Sequence, residues 1–121
     1  MISIQIDDHN ATQMMRVADI VLEDVKKQQI QGKAVLSMSM HVDGSDEVDK
    51  KFRALTEAGA ICLVSAGNGD YDAGQYSPGR EPSMITVRAM DARNDITLEL
   101  SNYGAAVDIW AHGVDVESAG G

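Results

Sequence analysis

The 121-residue chain is 44% hydrophobic and 24% charged, the balance of one globular domain with a modest core. Its formal net charge of -9 opposes nucleic acid and anionic membrane as partners, and leaves bound cations compatible. Aromatic residues are only 4%, so the core must be aliphatic with methionine filling gaps, and the one cysteine, Cys62, can close no internal disulfide.

In chain order, ISIQI (2–6) alternates apolar and polar residues and predicts a strand. The opening MISIQIDDHN has neither a basic region nor an apolar run, so no export signal is expected in it. No apolar stretch reaches membrane-spanning length. Met14, Val17, Ala18, Val21, Leu22 and Val25 then recur at three- and four-residue steps, which predicts an amphipathic helix. Asn10 is placed to cap its start and Gly32 to end it.

KAVLSMSM (33–40) reads as a second strand. Ser45 can cap a second helix, with Asp46 and Glu47 favourable in its first turn. Val48, Phe52 and Leu55 form that helix's apolar stripe, and Gly59 ends it. AICLVSA (60–66) is continuously apolar, as strands covered on both faces are. This βαβαβ order predicts an α/β fold with a mostly parallel sheet and flanking helices.

The stretch GNGDYDAGQYSPGREPS (67–83) then forms a loop long enough to point to function or disorder. MITVRAM (84–90) reads as a strand, DARND as a turn, and AVDIW (106–110) as a further strand. Parallel sheets build their sites at the carboxyl ends of strands. Ser39-Met40-His41 and the loop starting at Gly67 occupy two such ends. Asn68 stands between two glycines there. From GNG alone, a simple turn asparagine is the commoner reading.

Taken together, "SAGNGDYDAGQYSPGREPSMITVRAMD", "LSNYGAAVDIWAHG", "VLSMSM" and "ISIQID" resemble, in order and spacing, segments of the subtilisin-like serine proteases, nearest the proteinase K branch. Each motif is weak alone, but together they cover nearly the whole chain. The resemblance implies that residues 1–121 are one partial subtilase (peptidase S8) domain, and that Asn68 is the asparagine that donates to the oxyanion in acyl transfer. It implies that Ser39, Met40, His41, Ser65, Ala66 and Gly67 wall the substrate pocket. An extended peptide or protein substrate would pair with these segments by strand addition.

It also implies a structural calcium ion on the carbonyls of Pro82 and Met84 and the carboxylate of Asp108. The alternative for Asp108, a side chain facing water from an edge strand, stays open.

The family's D-T/S-G, H-G-T-H and G-T-S-M-A motifs, which carry its Asp, His and Ser triad, do not occur in the sequence. The resemblance places them before and after this segment, so the chain is expected to be inactive in peptide hydrolysis by itself. His9 reads as a turn residue. His41 stands where the family prefers glycine, and His112 where it has proline. Ser37, Ser39 and Ser65 read as small strand residues. A protease-derived binding protein, or a repurposed catalyst using the residual cleft, are the rival readings. A partial sheet should expose apolar faces, and a homodimer covering them is an expected assembly. The family is commonly secreted, which leaves location open.

Overall fold

A computed structural model of the chain describes Ile4 and residues 10–117. Apart from Ile4, the strand expected over residues 2–6 lies outside the described residues.

Helix α1 spans Ala11–Lys27, and helix α2 spans Asp46–Glu57. The strands are β1 (Val35–Met38), β2 (Val42–Asp43), β3 (Ile61–Ser65), β4 (Tyr76–Ser77), β5 (Ile85–Asp91), β6 (Ile96–Thr97) and β7 (Ile109–His112). β1, β3, β5 and β7 lie side by side and parallel. β6 adds antiparallel to the far end of β5, and β2 and β4 form a separate antiparallel ribbon. The mostly parallel α/β sheet read from the sequence is therefore the architecture found.

Both helices start as their caps dictate. The Asn10 side chain accepts from the Gln13 amide at 3.0 Å, and Ser45 Oγ accepts from the Val48 amide at 3.4 Å. Asp46, Glu47 and Asp49 in the first turn of α2 complement its positive end. α1 ends earlier than Gly32. Gln29 takes the left-handed conformation at φ 54°, and two lysines, Lys26 and Lys27, close the last turn. Gly32 serves the next turn instead, its amide donating to the Gly59 carbonyl at 2.9 Å.

Met14 and Ala18 of α1 and Val48, Phe52 and Leu55 of α2 meet Met38, Cys62 and Val64 of the sheet in one buried cluster. Phe52 is fully buried at its centre. Burial pushes the Cys62 thiol up to about 11, so it stays protonated and behaves as a small hydrophobe.

Both helices pack on the same side of the sheet. β3 is therefore not covered on both faces, contrary to its unbroken apolar sequence. Its residues alternate, with Cys62 and Val64 buried while Ile61 is 49% exposed. Register puts Val35 beside Ile61, Leu63 beside Ile85 and Val87 beside Ile109 on the open face. Val35 and Ile109 are exposed there, and no described helix covers that face.

The last strand is Ile109–His112 rather than 106–110, and Asp108 at its threshold bonds Thr86 twice, its amide donating to the Thr86 carbonyl at 2.9 Å and its carboxylate accepting from the Thr86 amide at 2.7 Å. The long loop is ordered. It contains a short 3-10 turn at Ala73–Gln75 and the strand β4. Arg80 ties it to α2 through Asp49 (2.7 Å) and Asp46 (2.6 Å). A bidentate pair joins Arg53 of α2 to the buried Glu81 at 3.1 and 2.6 Å. The hydrogen bonds from Arg53 hold the Glu81 carboxyl below the usual carboxylate range.

Candidate active site

The carboxyl ends of β1 and β3 are neighbours because Met38 pairs with Val64 in parallel register. That register brings Ser39-Met40-His41 alongside Ser65-Ala66-Gly67. Ser39 is exposed, Met40, His41 and Ser65 are half-buried, and Ala66 and Gly67 are buried. At the tip of this arrangement Asn68 is exposed, on a backbone whose flanks are pinned.

The pinning has several parts. Gly67 has φ +100°, a conformation open to glycine at low cost. Its amide donates to Ser65 Oγ at 3.1 Å and its carbonyl accepts from the Asn102 amide at 2.8 Å. A Cβ at Gly67 would lie 2.6 Å from Asn102 Nδ2 and 2.9 Å from His41 Cε1. The imidazole of His41 thus closes one side of the turn. Its other neighbour is Tyr76, edge-on with centroids 4.7 Å apart. In this way the long loop, through β4, returns to the end of β1.

The segment 98–104 straps the same turn from behind. The Asn102 side chain reaches Ala66, Gly69 and Tyr71, and the Leu100 carbonyl accepts from the Asp70 amide at 3.0 Å. The Tyr103 amide donates to the Tyr71 carbonyl at 3.0 Å, and the Ala73 amide donates to the Tyr103 carbonyl at 2.7 Å. Ser101, also buried, accepts from the Ala89 amide at 3.1 Å and so links the strap to β5. These buried residues were missed in the sequence. The only signal was the similarity of LSNYG to F-S-N-Y-G, which names no contact.

His112 stands apart from this tip. His112 Nδ1 accepts from the Ala92 amide at 3.1 Å, at the turn beyond β5. His9 lies outside the described residues.

Pro82 and Met84 precede the start of β5, and Asp108 precedes the start of β7. Pro82 is exposed and Met84 buried. Asp108 is exposed, and its Oδ2 accepts from the Thr86 amide at 2.7 Å. Among the described residues no three His, Cys, Asp or Glu side chains cluster in a way that could hold a metal. A site made mainly of carbonyls is a different construction.

A wide concavity of about 820 Å³ lies elsewhere, between α1 and the outer edge of β1, lined by Val21, Val25, Leu36 and Ala60. Its rim also carries Glu23, Asp24, Lys27 and Lys33. No described helix is long and apolar enough to cross a membrane.

The site is thus an α/β sheet with a glycine-flanked asparagine strapped at the end of β3, beside the end of its parallel neighbour β1. The chain matches the profile of the subtilase family (peptidase S8) over residues 4–121. It belongs to that family. It is 35% identical to the subtilisin-like proteinase Mp1 of Magnaporthiopsis poae, over 98% of this chain and 31% of that protein. It is 44% identical to subtilisin-like protease 6 of Trichophyton schoenleinii, over 72% of this chain and 21% of that protein. The crystal structure of a cold-adapted subtilisin-like serine proteinase superposes on 91% of the chain and 38% of its own, with TM-score 0.80 and 29% identity. The chain thus spans roughly a fifth to two fifths of the length of these proteins.

Proposed function

We propose that residues 1–121 form the middle segment of a subtilisin-like serine endopeptidase, carrying the oxyanion asparagine and the pocket walls while other segments carry the Asp, His and Ser triad. The observation that supports this most directly is the placement of Asn68. It is exposed at the tip of β3, next to the end of β1, on a turn held from both sides.

In this reading an extended peptide lies as an added strand along 39–41 and 65–67. The scissile carbonyl faces Asn68. As a serine hydroxyl from another segment attacks, the carbonyl oxygen gains negative charge and the Asn68 carboxamide donates to it. The donor is useful because its turn does not have to reorganise when the charge appears.

A serine-directed phosphonate should leave the isolated 121-residue chain unlabelled, and the chain should not cleave peptides. Joining it to segments bearing the three triad motifs should produce both labelling and cleavage. Clear labelling of the isolated chain would overturn the proposal.

Calcium belongs to the same reading. The residues fit a hard, oxygen-seeking cation. One oxygen of Asp108 accepts from Thr86, its other oxygen has no partner among the described residues, and the carbonyls of Pro82 and Met84, just before β5, would supply neutral oxygens. A bound ion would tie the start of β5 to that of β7. Titration calorimetry should detect calcium binding to the chain that Asp108→Ala abolishes. Equal binding by both forms would remove Asp108 from the site.

A further inference from the structure

We propose that Asn102 is the positioning residue for Asn68: its buried carboxamide and its own backbone amide lock the turn on both sides of the oxyanion donor. This rests on the oxyanion reading of Asn68 given above.

Asn102 is 1% exposed, and every polar atom of its side chain is used. Oδ1 accepts from the Gly69 amide at 2.9 Å and from the Tyr71 amide at 3.1 Å. Nδ2 donates to the Ala66 carbonyl at 2.9 Å, and the backbone amide donates to the Gly67 carbonyl at 2.8 Å. Two of these partners precede Asn68 and two follow it. The orientation of the carboxamide is dictated by the network. Turning it over would set Nδ2 against two N–H donors and Oδ1 against a carbonyl.

The arrangement also has no slack. An added Cβ at Gly67 would meet Nδ2 at 2.6 Å, so the turn rests directly on the Asn102 amide. Asn68 itself reaches outward from this clamped frame. One buried asparagine therefore converts a glycine-rich turn, flexible by composition, into a fixed platform. A catalytic group displaced by about 1 Å can lose on the order of 10²-fold in rate.

The test has two arms. In the 121-residue chain, Asn102→Ala should speed amide hydrogen exchange at Gly69 and Tyr71 by at least about tenfold while β1, β3 and β5 keep their protection. Unchanged exchange at those amides would overturn the clamp.

In the chain joined to the triad-bearing segments, a double-mutant cycle of Asn68→Ala and Asn102→Ala separates positioning from general structure. Asn102→Ala should lower kcat by roughly 10–10²-fold with KM nearly constant, and the double variant should be no slower than Asn68→Ala alone by more than about threefold. Multiplying losses would show that Asn102 acts independently of Asn68 and would overturn the inference. Full turnover in Asn102→Ala alongside a crippled Asn68→Ala would do the same, leaving the oxyanion reading intact. Full turnover in Asn68→Ala would instead overturn the oxyanion reading itself. If Asn102→Ala folds too poorly to assay, Asn102→Ser goes through the same cycle, since it leaves a smaller void and brings in no charge while losing the carboxamide that reaches Ala66, Gly69 and Tyr71.

Discussion

Alanine at position 68 should lower kcat by roughly 10²–10³-fold in a catalytically complete form of the chain, with KM changed little. That magnitude is subtilisin's for the loss of one such donor, and it is the loss that the proposed oxyanion role implies for Asn68. The split between kcat and KM follows from when the interaction forms. The ground-state carbonyl gains little from the carboxamide, whereas the tetrahedral oxyanion gains much. The side chain is exposed, so its removal leaves the packing in place. Stability should shift by no more than about 0.5 kcal/mol, as for ordinary surface substitutions. Steady-state kinetics on a peptide ester or anilide, with a thermal melt beside it, checks both halves. An unchanged kcat would reduce Asn68 to a turn residue.

Phe52→Ala should destabilise the fold by about 3–5 kcal/mol. Phe52 is fully buried where α2 meets the sheet, within the cluster of Met14, Met38, Val48, Leu55, Cys62 and Val64. It is the one phenylalanine in the chain, and the neighbouring aliphatic side chains sit on rigid elements that cannot collapse far into the void. A small domain has about 5–15 kcal/mol in total, so this one truncation removes a large share. Urea denaturation followed by far-UV circular dichroism should show the midpoint falling sharply or the transition vanishing. A midpoint lowered by less than about 1 kcal/mol in equivalent stability would mean that the core relaxes around the void.

Much of the scaffold was readable from local pattern. The apolar stripes of the two helices, the caps at Asn10 and Ser45, and the strands at β1, β3 and β5 all follow from short-range periodicity. So does the idea of looking at the ends of β1 and β3, because the parallel order makes them neighbours.

What escaped depends on partners distant in sequence. β2, β4 and β6 have two residues each and carry no periodic signal. The open face of β3 could not be read from its own residues, since Ile61 and Leu63 look the same whether or not something covers them. The end of α1 at Lys27, followed by left-handed Gln29, was obscured by Gly32, whose own left-handed backbone serves a contact with Gly59. Asn102 sits 33 residues from Gly69, in a short polar stretch that reads locally as a turn. Its burial and its three side-chain hydrogen bonds exist only once the two segments dock.

That docking has a temporal side. Translation delivers the tip of β3 well before the ribosome has made residues 98–104, and until those arrive Gly69 and Tyr71 have only water for their amides. The order of synthesis therefore separates scaffold from tip: the residues of both helices and of β1, β3 and β5 are all made before Asn102, whose side chain supplies the partners of Gly69 and Tyr71.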